Sequence, residues 1–387
     1  MKKLILLVVT CLFWFSLYLY IPFLTPFLIS LGLSATLAGV IFGAHSFVQL
    51  LARLPVGMKS EAIGKQKPFI MMGMLFTAIS SIVMWAFPSP AMLLVGNAIS
   101  GFASTMYVSF TLLYARYYTK EETGKAMGVL GGVVEVGILA AFVSGGILYE
   151  QAGIRLLFFV SAAVAAIGLV ISAFVKEKPE AKEAVSIQTL LSVVRDRRLV
   201  TSSVLGILIK ALVFATAFAF TPKMAQDIGA NGIEVGIVSA VFIGASVIGS
   251  FFVATKAGKR LGGRKTSVIG FACLLLNTVA IPFITSIPAL IAVQFVGGLG
   301  YASLTAIFMT NAVSNFGEDK KAVAMGFYQA VYSAGSTLGP VLMGIFADAF
   351  HYKVAYLLIA LIAVAGIIVT LASYPKHGQT ASEGHTA

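Results

Sequence analysis

The sequence predicts an all-α membrane protein of twelve spanning helices in two pseudo-symmetric six-helix halves, and three observations predict it. From Leu4 to Tyr374 one apolar stretch follows another, each about as long as a bilayer is thick, with short polar breaks between them. A spanning helix needs roughly 20 apolar residues. Only helices and closed barrels satisfy their backbone hydrogen bonds in lipid, and these runs are too long for barrel strands. Composition agrees: 59% of residues are hydrophobic, 11% are charged and mean hydropathy is +0.96, whereas soluble domains carry about 25% charged residues. The chain also repeats itself. Ala126-Met127-Gly128 returns as Ala324-Met325-Gly326, and the same spacing pairs Gly137 with Gly335, Gly146 with Gly344 and Glu150 with Asp348. A spacing one residue shorter pairs Gly32 with Gly229, Gly39 with Gly236 and Gly101 with Gly298.

The N-terminal half, residues 1–175, holds expected spans at 4–28, 34–56, 68–87, 90–114, 124–149 and 154–175. The first follows Lys2 and Lys3 and continues well past Phe15 without an A-x-A cleavage site. Thr10 is an unusual residue before a lipidated cysteine at Cys11, so a retained span fits better than a signal peptide. Residues 176–198 form the most charged segment and the boundary between halves. There Ile187, Leu190, Leu191 and Val194 recur at helical spacing, which suits either an amphipathic helix on the inner membrane surface or a plain linker. The C-terminal half, residues 199–374, holds spans at 199–224, 232–254, 266–285, 288–312, 321–348 and 353–374, followed by a tail at 375–387.

The net charge of +12 is topological information and not a nucleic-acid footprint. Nearly all Lys and Arg fall in alternate loops, and the opposite loops hold only Arg155, Lys223 and Lys353. The positive-inside rule then puts both termini in the cytoplasm of a plasma membrane of bacterial type. Cys11 and Cys273 give no support to a disulfide framework.

Chemistry is confined to the few polar groups inside the spans. Of fifteen acidic residues, Glu135 alone lies deep in a span, and an intramembrane carboxylate is a functional-site hypothesis by default. Its proton affinity responds to burial and to neighbouring charge, as proton coupling requires. Lys210 lies at similar depth in the seventh span, and the two are expected to be coupled, directly or through substrate. His45 in the second span is a candidate relay or a packed hydrogen-bonding group. In the fourth span Asn97, Ser100, Ser104, Tyr107, Thr111 and Tyr114 form one stripe, echoed in the tenth by Gln294, Gly298, Tyr301 and Thr305. With Trp14, Tyr18, Gln329, Tyr332 and Ser336, these stripes are expected to wall a cavity suited to an amphipathic organic molecule.

After the second span, Arg53-Leu-Pro-Val-Gly57-Met-Lys-Ser-Glu61-Ala-Ile-Gly64-Lys-Gln-Lys67 resembles the cytoplasmic loop motif of the major facilitator superfamily, with Ala62 and Gln66 at usually basic positions. The resemblance implies a latch between helix ends. Gly128, Gly137, Gly145 and Gly146 in the fifth span are similar in spacing to the family's antiporter motif, although Ala141-Phe142 stands where Gly-Pro belongs. The eleventh span has the fuller form, with Gly326, Gly335, Gly339-Pro340 and Gly344. Small residues so spaced let helices approach closely. The resemblance implies the family's fold, a path among the first, fourth, seventh and tenth helices, and a proton-coupled exporter working by alternating access. Asn97 occupies a position where many proton-coupled members have arginine.

A proton-coupled nutrient importer, and a lipid scramblase or membrane sensor that kept the fold, are the alternatives. Expected partners are a small-molecule substrate, protons and the bilayer. Gly258-Lys-Arg-Leu-Gly-Gly263-Arg264-Lys265-Thr266 nearly reads as a phosphate loop, but arginine takes the lysine position and a spanning helix precedes it, so no ATP site is expected. No cofactor is implied, and with His45, His351, His377 and His385 scattered, neither is an enzyme or a metal centre.

Overall fold

The computed structural model describes residues 2–119, 121–178 and 192–373, without the side chains of 254, 256–259, 318, 319 and 322. Most of the linker, including Ile187, Leu190 and Leu191, and the tail 375–387 lie outside the described residues. Among those described, eleven helices are long and apolar enough to cross a membrane. One of them, Thr123–Ser172, is two helices joined at Ala152 and Gly153, where the glycine's φ of 67° turns the chain back. The twelve spans are α1 Lys2–Ser30, α2 Ala35–Ile63, α3 Lys67–Ala86, α4 Pro90–Ala115, α5 123–151, α6 154–172, α7 Arg197–Asp227, α8 Gly232–Ala254, α9 Arg260–Phe283, α10 Ile287–Val313, α11 Glu318–Phe350 and α12 Tyr352–Ser373. Both described ends fall on one face, called here the basic face because the Lys- and Arg-rich loops share it.

The expected end of the second span at 56 is corrected to Ile63. Pro55 is accommodated within the helix, and Gly64, at φ 73°, ends it by taking the left-handed conformation that closes a helix C-terminus. Repeat positions share capping chemistry. Ser34 accepts from Leu37 N at the start of α2, and Asn231 accepts from Glu234 N at the start of α8, with Glu234 completing a capping box.

The two halves meet along two equivalent seams, α2 against α11 and α5 against α8. On the first seam Gly39 lies against the Pro340 carbonyl and Gly43 against that of Thr337; on the second Gly236 lies against the Phe142 carbonyl. Nothing larger than glycine fits such backbone contacts. Both seams are fastened at the face opposite the basic one. Asp348 accepts from Ala35 N and Thr36 N at 2.9 and 2.8 Å, and its repeat mate Glu150 accepts from Gly232 N at 2.6 Å. Each carboxylate from one half therefore meets the positive end of a helix from the other.

Candidate functional site

Lys210 sits at the centre of the bundle. Its Nζ donates to the Tyr301 hydroxyl at 2.6 Å and lies 4.9 to 5.5 Å from the ring centroids of Tyr332, Tyr301 and Phe214. Cation–π attraction and one hydrogen bond thus hold the ammonium inside an aromatic cage. Gly335 and Gly339 of α11 lie against the α7 backbone at Ile207 and Ala211, which flank Lys210, so these glycines set how near α11 brings Tyr332. In α5, Gly137, the counterpart of Gly335, lies against the Cys11 carbonyl, and Gly145, one turn beyond Ala141 that replaces Gly339, lies against that of Leu19.

Glu135 makes no ion pair with Lys210 in this conformation, which corrects the direct form of the expected coupling. Its Oε2 is buried without a hydrogen-bond partner. Lysine's hydrogen bond goes to Tyr301 instead, yet the carboxylate remains in electrostatic reach of Lys210, Tyr18 and Tyr107.

A chain of rings closes the space beyond these two groups. Trp14 packs on Tyr107 at 5.1 Å and on Tyr18 at 5.4 Å, and Tyr18 meets Phe142 at 6.0 Å and Phe218 at 6.1 Å. Phe218 continues to Phe242, and Phe242 to Tyr301. Phe142 is seven residues beyond Glu135 and Phe218 eight beyond Lys210, about two helical turns toward the opposite face. Phe214–Phe220 is π-helical, which rotates its aromatic rings relative to a regular α7. Sequence reasoning missed Phe142, Phe218 and Phe242, because among 29 phenylalanines none stands out by spacing; the loss of Gly-Pro at Ala141-Phe142 was the available cue.

On the basic side lies a cavity of about 370 Å³, bounded by α2, α4, α5, α10 and α11 and lined by Arg53, Glu61, Tyr107, Met127, Gly326 and Gln329 among others. The cavity thus lies on the basic side of the ring chain, and the Asp348 and Glu150 fastenings lie on the other. Gly128 has nothing within 4 Å of where a side chain would begin, and Gly326 meets only the Leu54 side chain, at 3.5 Å. Both were expected to pack helices and do not do so in this conformation, because the ends of α5 and α11 are splayed around the cavity.

The polar stripes divide. Asn97, expected on the cavity wall, is buried and donates to the carbonyls of Ile41 and Phe42 at 2.7 and 3.1 Å. Its repeat mate Gln294 is buried against Asn277 at 2.8 Å. Both staple helices within one half and are removed from the cavity wall. Ser104 is buried as well, receiving Gln49 Nε2 at 3.0 Å. His45 is hydrogen-bonded to Ser100 at 2.8 Å, on the α2–α4 contact. Gln49, not anticipated, joins the halves, since its Oε1 accepts from Ser333 at 3.3 Å. Its spacing, four residues after His45 and four before Arg53, was the cue.

The expected latch is also rearranged. Gly64 terminates α2 and its carbonyl accepts from Arg116 at 3.1 Å, but Glu61 forms no ion pair among the described residues. The carboxylate that fastens this loop is Glu177, which accepts from Gln66 N at 2.6 Å and Lys67 N at 3.0 Å at the start of α3. Lys67 Nζ donates to the Ala173 carbonyl. Arg53 is 6% exposed, and its Nε has no hydrogen-bond partner.

The family model of the Major Facilitator Superfamily matches residues 6–222 and again 203–386. Multidrug resistance protein 2 of Bacillus subtilis is 24% identical over 94% of this chain and 93% of its own length. The synaptic vesicular amine transporter of Rattus norvegicus is 25% identical over 84% of this chain, which spans 64% of that relative. A solved bacterial homologue of the human lysosomal transporter Spinster, in an inward-facing and unoccupied conformation, superposes with a TM-score of 0.81 at 13% identity over 96% of both chains. Matched along nearly its whole length and built on the same two-half helical fold, the chain belongs to the major facilitator superfamily of membrane transporters.

Proposed function

We propose that the protein exports a small amphipathic organic molecule from the cytoplasm across the plasma membrane in exchange for protons. The basic face is cytoplasmic, and the conformation described above is the inward-facing one. The observation that carries this reading is Glu135: a carboxylate in the middle of the bundle, one oxygen buried and unbonded, beside a lysine whose bonds are already committed to Tyr301 and its ring cage. Such a carboxylate can take a proton or face a polar substrate group, and the two occupancies compete. The relative named for multidrug resistance supports export.

Alternating access follows from the seams. A proton entering from outside neutralises Glu135, the halves rock about α2–α11 and α5–α8, and the Asp348 and Glu150 fastenings re-form as the cytoplasmic cavity opens. There the proton leaves and substrate enters. Purified protein in liposomes should move amphipathic compounds uphill when a pH gradient is imposed, with proton flux in the opposite sense. Proton flux in the same sense as the compound would mean symport, and flux without protons would remove the coupling.

A further inference from the structure

Arg53 has no structural employment in this conformation. It lies in α2 about ten residues from the helix end, roughly 15 Å inward from the basic face. It is only 6% exposed, and it makes no hydrogen bond or ion pair among the described residues. A guanidinium in such surroundings is ordinarily paired, since burying charge without a partner is costly. The charges around it do not supply one. Glu61 lies two turns away along the same helix face, at the cavity mouth, and Lys210 has the same sign. Glu135 forms no ion pair with Arg53 among the described residues, although both interact electrostatically with Tyr107. The guanidinium belongs to the wall of the 370 Å³ cavity, whose other walls are mostly apolar, including Met58, Leu112, Met127 and Met309.

We propose that Arg53 is the recognition site for an oxyanion on the transported molecule, so that the substrate is an amphipathic organic anion or a zwitterion. The planar fork of arginine matches a carboxylate or phosphate bidentately, while the methionine and leucine walls take the apolar body. This deepens the exporter reading and rests on the cavity being the transport site. It also gives Arg53 a role apart from the loop latch that its sequence position suggests. The same chemistry is carried by a free organic acid and by an anionic lipid headgroup.

The test uses the full chain in nanodiscs of phosphatidylcholine, with radiolabelled 4-phenylbutyrate compared with the neutral 4-phenylbutanol and the cationic 4-phenylbutylamine. The expected result is at least about ten-fold tighter binding of the carboxylate than of the alcohol, with Arg53→Gln erasing that preference and leaving the alcohol unchanged. Arg53→Lys should retain part of the preference, because it keeps the charge and loses the fork. Absence of saturable carboxylate binding, a wild-type preference for the amine or alcohol, or an equal loss of all three in Arg53→Gln would overturn the inference. The wild-type ratios decide the matter even if a variant fails to fold. Competition by added phosphatidylglycerol would identify a lipid headgroup as the source of the anion. If the carboxylate binds through Arg53 but is not moved in liposomes, the site stands and the transport reading falls. If another compound is moved in exchange for protons while the carboxylate does not bind, the reverse holds.

Discussion

Removing the two carboxylate fastenings, Asp348→Ala and Glu150→Ala, should release the closed face. Asp348 receives two backbone N–H groups of α2 and Glu150 one of α8, in both cases across the halves. A side chain capping a helix N-terminus contributes about 1 kcal/mol. Bonds to a charged acceptor can contribute more, but both carboxylates are exposed and partly screened, so about 1 kcal/mol each is retained. These bonds exist only while that face is closed, so their loss passes undiminished into the conformational equilibrium. Each single variant shifts it about five-fold, and the double variant, on independent seams, about 30-fold toward the outward-open form. Spin labels at Phe87 and Phe283, exposed residues of opposite halves on that face, report it by pulsed electron resonance after replacement of Cys11 and Cys273 by serine. The double variant should gain a population at longer distance that the single variants show in smaller measure. An unchanged distribution in a folded double variant would refute the claim that these fastenings hold the face closed.

Other consequences follow from the same contacts. Gly146→Val would place its Cβ 2.8 Å from the Gly232 carbonyl oxygen; backbone cannot yield cheaply there, so the same labels should show loss of the closed form, at a cost of about 1–3 kcal/mol. Asn97→Leu removes two bonds to α2 and should cost about 1–2 kcal/mol, seen as a melting temperature lower by a few degrees with substrate affinity nearly unchanged. At the start of α7, burial alone would raise the Asp196 carboxyl, but hydrogen bonds from Asn315 and from the Leu199 and Arg198 backbone outweigh it and hold the group below the usual carboxylate range. A depressed carboxyl stabilises fully above the ordinary value of about 4 and loses that contribution as pH falls through its lower folded value. Thermal stability below about pH 4 should therefore fall less steeply in Asp196→Asn than in the unmodified chain.

The helix count and the repeat were legible because hydropathy and glycine spacing are local properties that lipid enforces. The seams were partly legible: Gly39 with Gly236, Gly146 with Gly344 and Glu150 with Asp348 were visible as repeats, and the structure explains them as contacts between halves. The site was less so. A stripe at helical spacing shows which residues share a face but not what that face meets, and a rotation of α4 against α2 decides that Asn97 and Ser104 are covered while Tyr107 is not. Glu135 and Lys210 stood out by charge alone, yet the cage around Lys210 joins Phe214 of its own helix to Tyr301 and Tyr332, which lie much further along the chain on α10 and α11. Glu177 was hidden within a charged linker whose other carboxylates looked equivalent.

The central claim is that Glu135 is the group through which protons and substrate exchange. Its most direct test is Glu135→Gln in liposomes, assayed for a transported compound in two modes: uphill movement driven by a pH gradient, and exchange of labelled for unlabelled compound with no gradient. The account predicts that the glutamine variant loses the first and keeps the second, because it can still bind and rock but no longer releases a proton. Uphill, proton-driven movement that survives in the glutamine variant would contradict it.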